Sequence, residues 1–228
     1  MNKPKQLTFP WNKVNKSSLE GFYTSEENSH LISLLKDRSF MDDLFIYGTK
    51  ESGKTFLLQA MCNSYSSLSK SSLYIPLRKV MNYGVEIFES LENIDLICID
   101  GIDEVVSKIK WEKAIFNLIN IALTSDSRLI FTSSKDLKSL NFLLPDLESR
   151  IRKIQSYELY PINDKDIFDA LKYISKLTSI NLGDKEAKYL VTYSQRNISN
   201  LVHILESLDK LSMEMKRKIT IPLIKEVI

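Results

Sequence analysis

The stretch LFIYGTKESGKTFLLQAM, residues 44–61, joins a short apolar run to a helical pattern through GTKESGKT at 48–55. Those eight residues satisfy G-x-x-x-x-G-K-[ST] in full. Glycines at 48 and 53 let backbone N–H groups close on phosphate oxygens, the Lys54 ammonium reaches the outer phosphates, and the Thr55 hydroxyl can hold Mg²⁺. A glycine turn that fits by accident is the alternative. Only six glycines occur in the chain, however, and two stand at the required positions. The reading is therefore strand, phosphate loop and helix start, with Gly48, Thr49, Lys50, Glu51, Ser52, Gly53, Lys54, Thr55 and Phe56 as nucleotide contacts. The loop specifies binding of a nucleoside di- or triphosphate and leaves the reaction open, because kinases, ATPases and switches share it.

Outward from this stretch, strand-like and helical runs alternate. Apolar, β-rich runs at 72–75, 96–99, 128–131 and 154–159 are separated by helical patterns, among them 110–123. Such runs predict a parallel sheet covered on both faces. After residue 163 the patterns are all helical: 166–177, 185–194, 198–211 and a last helix that Thr220 can cap, with Pro222 in its first turn. The expected organisation is a tail (1–15), an α/β nucleotide-binding domain (16–160) and a small all-helical domain (161–228).

Composition agrees with a folded soluble chain of 228 residues, 43% hydrophobic and 26% charged, with mean hydropathy −0.15. A net charge of +2 is too close to neutral to imply a nucleic-acid-coating or membrane-surface protein, and it leaves local basic patches open. Cys62 and Cys98 lack metal-ligand or redox spacing, and no apolar leader opens the chain; reduced thiols and a cytoplasmic location are expected. His30 and His203 stand alone on helical patterns and read as ordinary helix faces.

A second phosphate-site element is expected at the tip of another strand, and LICID (96–100) supplies one. Asp100 would hold Mg²⁺ together with Thr55. The plainer reading, an Asp capping the turn at Gly101, loses to the order and spacing of the two motifs. Many P-loop ATPases carry a second acid directly after the first. Here that position is Gly101, and the next acids are Asp103 and Glu104, so efficient autonomous hydrolysis is not expected.

The segment WEKAIFNLINIALTSDSRLIFTSSKDLKSLNFLLPDLESRI (111–151) and the C-terminal KITIPLIKEVI (218–228) resemble the DnaA/Hda family of AAA+ proteins, its Hda members most closely. The resemblance covers nearly the whole chain. It implies an AAA+ P-loop fold with a five-stranded parallel sheet flanked by helices and a helical C-terminal lid. By position, Arg150 matches the family's arginine finger, which reaches the nucleotide of a neighbouring subunit. A finger of this kind accelerates phosphoryl transfer by roughly 10³ to 10⁵; without the resemblance, a surface pair with Glu148 would be the simpler reading. Gln6, Leu7, Phe9 and Pro10 resemble the short sliding-clamp-binding peptide that opens Hda-type chains, whereas a loose tail with incidental apolar residues is the alternative. Phe22, Tyr23 and Asn28 line up with the adenine-proximal stretch, although Ser25 also reads as the N-cap of a helix running to Asp37. Two departures stand out. Ser199 occupies the place of the lid's sensing arginine, with Arg196 three residues ahead, and Ser134 occupies a polar sensor position.

The resemblance implies an adaptor that binds ADP or ATP with Mg²⁺, docks on the DNA polymerase III sliding clamp, touches DNA through that clamp, and promotes hydrolysis of ATP on the DnaA initiator. A homodimer is compatible with it, and no membrane is involved. A DnaA-like or helicase-loader-like ATPase acting on DNA is the competing reading; a full initiator needs a DNA-binding domain, and the sequence ends at Ile228 just after the lid. A P-loop small-molecule kinase would leave the helical domain, Arg150 and the tail without roles.

Overall fold

The computed structural model describes residues 17–228, so Gln6, Leu7, Phe9 and Pro10 lie outside the described residues. The five expected strands form at β1 (Leu44–Tyr47), β2 (Ser72–Pro76), β3 (Leu96–Asp100), β4 (Arg128–Ser133) and β5 (Gln155–Glu158). All pair in parallel, in the order β2-β3-β4-β1-β5. Inserting β4 between β1 and β3 makes a crevice at the strand C-termini, where an open α/β sheet binds its ligand.

Side-chain alternation along the strands splits the interior into two cores. Phe45, Ile97, Ile99, Leu129 and Phe131 face one side, with α4 (Ile109–Ser125) and α5 (Pro145–Ile151) over them. Leu44, Ile46, Leu96, Cys98 and Ile130 face the other, covered by α1 (Ser29–Lys36) and α2 (Lys54–Ser67). Both faces being buried explains why the strands read as continuous apolar runs rather than as alternating ones.

The helical block follows as α6 (Ile167–Leu177), α7 (Asp184–Tyr193), α8 (Ile198–Met215) and α9 (Ile221–Lys225). It has its own core, in which Leu171, Leu190, Leu201, Leu208 and Ile224 are fully buried. The Tyr173 hydroxyl on α6 donates to the Glu20 carbonyl at 2.6 Å and ties this block to the segment ahead of α1.

Three local expectations need correction. The helix for which Ser25 was the expected N-cap begins at Ser29, with Asn28 at the N-cap, because residues 25–28 close a separate turn through Asn28 N–H to Ser25 O. Between β2 and β3 the chain makes only a single-turn α3 (Leu77–Val80) and a 3-10 turn at Val85–Phe88; Gly84, at φ +99°, breaks helical continuity there. Thr220 does sit at the N-cap of α9, but its side chain makes no capping hydrogen bond.

Candidate functional site: a phosphate loop and an exposed arginine

The loop between β1 and α2 is shaped by close approach. A side chain at Gly48 would put its Cβ 2.3 Å from the Leu159 carbonyl oxygen; at Gly53, where φ is +101°, the Cβ would meet the Phe22 ring at 2.7 Å. Glu51 also adopts the left-handed region, at φ 69°. Such turns aim successive N–H groups into one concavity. The first N–H groups of α2 have no partners within the helix, and the helix dipole adds positive potential at the same spot. The Lys54 ammonium is already held across the loop, donating to the carbonyls of Gly48 and Thr49 at 2.7 Å each. Burial pulls its pKa below the usual lysine value, against the pull of Asp100 and Asp103. The arrangement can receive an anion with little rearrangement.

Asp100, at the tip of β3, meets three hydroxyls. Thr55 Oγ1 donates to Oδ2 at 2.7 Å, Tyr74 OH to the same oxygen at 2.7 Å, and Thr132 Oγ1 to Oδ1 at 2.6 Å. The carboxylate and the Thr55 hydroxyl are hard oxygen donors, a set that suits Mg²⁺ alongside phosphates and water. Among the described residues no group of three His, Cys, Asp or Glu side chains could hold a metal alone. Tyr74 and Thr132 were not singled out from the sequence.

The stretch ahead of α1 packs against the loop. Phe22 lies 6.0 Å from the Phe56 ring, centroid to centroid, and Tyr23 meets Tyr173 edge-on at 5.9 Å. Asn28 is buried; its amide donates to Tyr160 O at 2.9 Å and its carbonyl accepts from Tyr160 N at 3.0 Å. Asn28 thus pins the chain where it leaves β5 for the helical block, and its amide is committed to that main chain.

Arg150 lies on α5. It is exposed, and among the described residues its guanidinium has no ion-pair or hydrogen-bond partner. The simpler pairing with Glu148 is absent: Glu148 is taken by Arg152, whose Nη2 and Nε reach it at 2.6 and 2.9 Å. Residues two apart on a helix do not face each other, whereas residues four apart do. The helix itself is anchored by Glu112 of α4, which is 0% exposed yet accepts from Leu144 N and Ser107 N at 2.8 Å each. Leu144 is the N-cap of α5. Glu112 therefore fixes the base of the helix that presents Arg150, a role the sequence did not suggest.

The free thiols Cys62 and Cys98 and the separate histidines, His30 against the Tyr157 ring and His203 beside Glu206, assemble no further site. No helix is long and apolar enough to cross a membrane among the described residues.

A family model described as an AAA domain matches residues 42–168, and one described as the Hda lid domain matches residues 164–228. The chain belongs to the DnaA/Hda family of AAA+ proteins. An uncharacterized protein of Haemophilus influenzae is 33% identical over 227 residues, which is 98% of each chain. Among solved structures, the fold resembles domain III of the Thermotoga maritima replication initiation protein DnaA, with TM-score 0.71 and 19% identity over 93% of this chain and 97% of that one. It also resembles AMPPCP-bound DnaA from Aquifex aeolicus, with TM-score 0.69 and 21% identity over 88% of this chain and 67% of that one.

Within this AAA+ frame the two sensor departures have definite surroundings. Ser134, just past β4, bonds Asp103 through both its N–H, at 3.2 Å, and its hydroxyl. Asp103 thereby faces the β4 tip. Ser199 is exposed in the first turn of α8, where its N–H is capped by Asn197. Arg196 pairs with Asp164 at 3.7 Å, between two well-exposed side chains. Its charge is directed to the start of the lid.

Proposed function

We propose that this chain is an adaptor in the control of replication initiation: it holds an adenine nucleotide at residues 48–56 and presents Arg150 to ATP bound by DnaA. The observation that carries this reading is the contrast in engagement between the two cationic groups. Lys54 is committed to its own loop, whereas Arg150 is exposed, unpaired and mounted on an anchored helix. An unpaired guanidinium of this kind is suited to neutralise charge that develops on a phosphate held by another subunit.

Several features support the division of labour. Gly101, at φ +81°, follows Asp100 where a second acid would orient an attacking water, and Asp103 is engaged by Ser134, so slow hydrolysis by the chain alone fits its sequence. The nucleotide would be ADP or ATP, with Phe22 and Tyr23 near the base and Asn28 holding the neighbouring main chain. Thr55 and Asp100 would hold Mg²⁺. When bound, that ion neutralises phosphate charge; the residues of this chain position the phosphates through Lys54 and the loop N–H groups. Gln6, Leu7, Phe9 and Pro10 supply recruitment to the DNA-loaded sliding clamp, so DNA is met indirectly, in the cytoplasm, by a monomer or a homodimer.

The test is turnover of DnaA-bound ATP with this protein added, with and without clamp loaded on DNA. Stimulation that requires the loaded clamp is expected. Rapid hydrolysis by this chain alone would favour a self-sufficient ATPase.

A further inference from the structure

Among the described residues, Tyr74 is the one side-chain donor to Asp100 that comes from neither the end of the phosphate loop nor β4. Strand register brings it there: Tyr74 pairs with Cys98, and Pro76 with Asp100, so the β2 phenol leans along the sheet to the carboxylate. Its OH lies 2.7 Å from Oδ2, the oxygen that also accepts from Thr55. A carboxylate offers about two acceptor directions per oxygen. Oδ2 therefore has both of its directions used, while Oδ1 keeps one beside Thr132.

The oxygen nearest Thr55 is the one from which the carboxylate would receive a metal-bound water. We propose that Tyr74 restrains the metal side of this nucleotide site by occupying Asp100 Oδ2, so that nucleotide is held largely by the loop and Lys54 and depends little on Mg²⁺. This rests on the nucleotide-binding reading above and deepens it. Burial, reinforced by the adjacent Asp100 carboxylate, holds the Tyr74 phenol far above the usual tyrosine range. It remains a donor throughout the working pH range. Two consequences follow from charge. Three hydroxyl dipoles directed at Asp100 soften its attraction for a divalent cation, and rotation of the phenol would be needed before Oδ2 could accept from a metal-bound water.

The test uses nucleotide-free full-length protein and calorimetric titration with ADP, either in excess Mg²⁺ or in chelator, comparing wild type with Tyr74→Phe. The variant keeps the ring and removes only the donor. Wild type should show a small Mg²⁺ enhancement of affinity, and Tyr74→Phe should increase that enhancement roughly three- to tenfold, the range of one ordinary hydrogen bond, with affinity in chelator unchanged. An enhancement equal in the two proteins would overturn the proposal. A parallel loss of affinity in both conditions would also overturn it, because Tyr74 would then merely support the loop. Absence of ADP binding by wild type in either condition would instead strike the nucleotide reading itself, and the restraint with it. Melting temperatures without nucleotide confirm that both proteins are folded at the temperature of titration.

Discussion

The loop at residues 48–56 and the helix at 145–151 both carry a cationic side chain suited to phosphate, and they are built in opposite ways. At the loop, Lys54 is half-buried, bonded to two carbonyls and drawn on by Asp100 and Asp103, while Phe22 packs on Gly53 and the Phe56 ring beside it. On α5, Arg150 is exposed and unbonded, and what is buried is the anchor beneath it, Glu112. A group that must hold a ligand of its own is pre-organised by the protein around it. A group that must reach another molecule's ligand is left free while its mounting is fixed. The difference teaches which residues to disturb in order to separate holding from acting.

The largest effect expected at the loop is from Lys54→Ala. Removing a charge-assisted donor of about 1.5 to 3 kcal/mol should weaken ADP binding roughly 10- to 100-fold, read by calorimetry. Added ADP should raise the melting temperature of wild type, because ligand binds the folded state alone, and should do so far less for the variant. An unchanged affinity would break the comparison at its first term.

Glu112→Ala comes next. It leaves the partly buried N–H groups of Leu144 and Ser107 without their acceptor and opens space beneath α5, so a loss of about 1 to 3 kcal/mol is expected by urea denaturation. The comparison is sharpened by what survives: ADP affinity at a temperature where the variant is folded should stay within about twofold, the limit expected for sites without shared partners. Glu112→Gln should lie between the two, since it retains one acceptor oxygen and brings a second donor toward an N–H.

Arg152→Ala should do least. Its pair with Glu148 is an exposed i,i+4 contact worth about 0.3 to 0.5 kcal/mol. The freed Glu148 still faces away from Arg150, so activity attributed to Arg150 should be retained. A marked drop in DnaA-directed activity would show that the Arg150 side chain depends on this surface pair.

Much of the loop was legible because its chemistry is local. Gly48, Gly53, Lys54 and Thr55 fall within eight residues, and the strand carrying Asp100 is an uninterrupted apolar run, since both sheet faces are covered. Tyr74 and Thr132 were missed because their meeting with Asp100 depends on the register of three strands. The available signal was a hydroxyl near the C-terminal end of each strand flanking an acid-tipped one. Glu112 was missed for a related reason: in sequence it is one charge on an amphipathic helix, and only the return of the chain at Leu144 makes it a buried clamp. The helix expected between β2 and β3 stops after one turn at Val80, and Gly84, whose positive φ the pattern did not reveal, separates it from the 3-10 turn that follows. Asn28 was read as a base contact from its place in the family's adenine-proximal stretch, and its amide serves the Tyr160 main chain.

The central claim is that Arg150 acts on a nucleotide this chain does not hold. Its most direct test is the rate of hydrolysis of DnaA-bound ATP in the presence of DNA-loaded clamp, comparing wild type with Arg150→Ala, alongside ADP affinity and clamp binding of both proteins. The account predicts that Arg150→Ala loses the stimulation, by a factor on the order of 10³ if stimulation reaches the usual range of an arginine finger, while both binding measurements remain unchanged. Full stimulation by Arg150→Ala would contradict it.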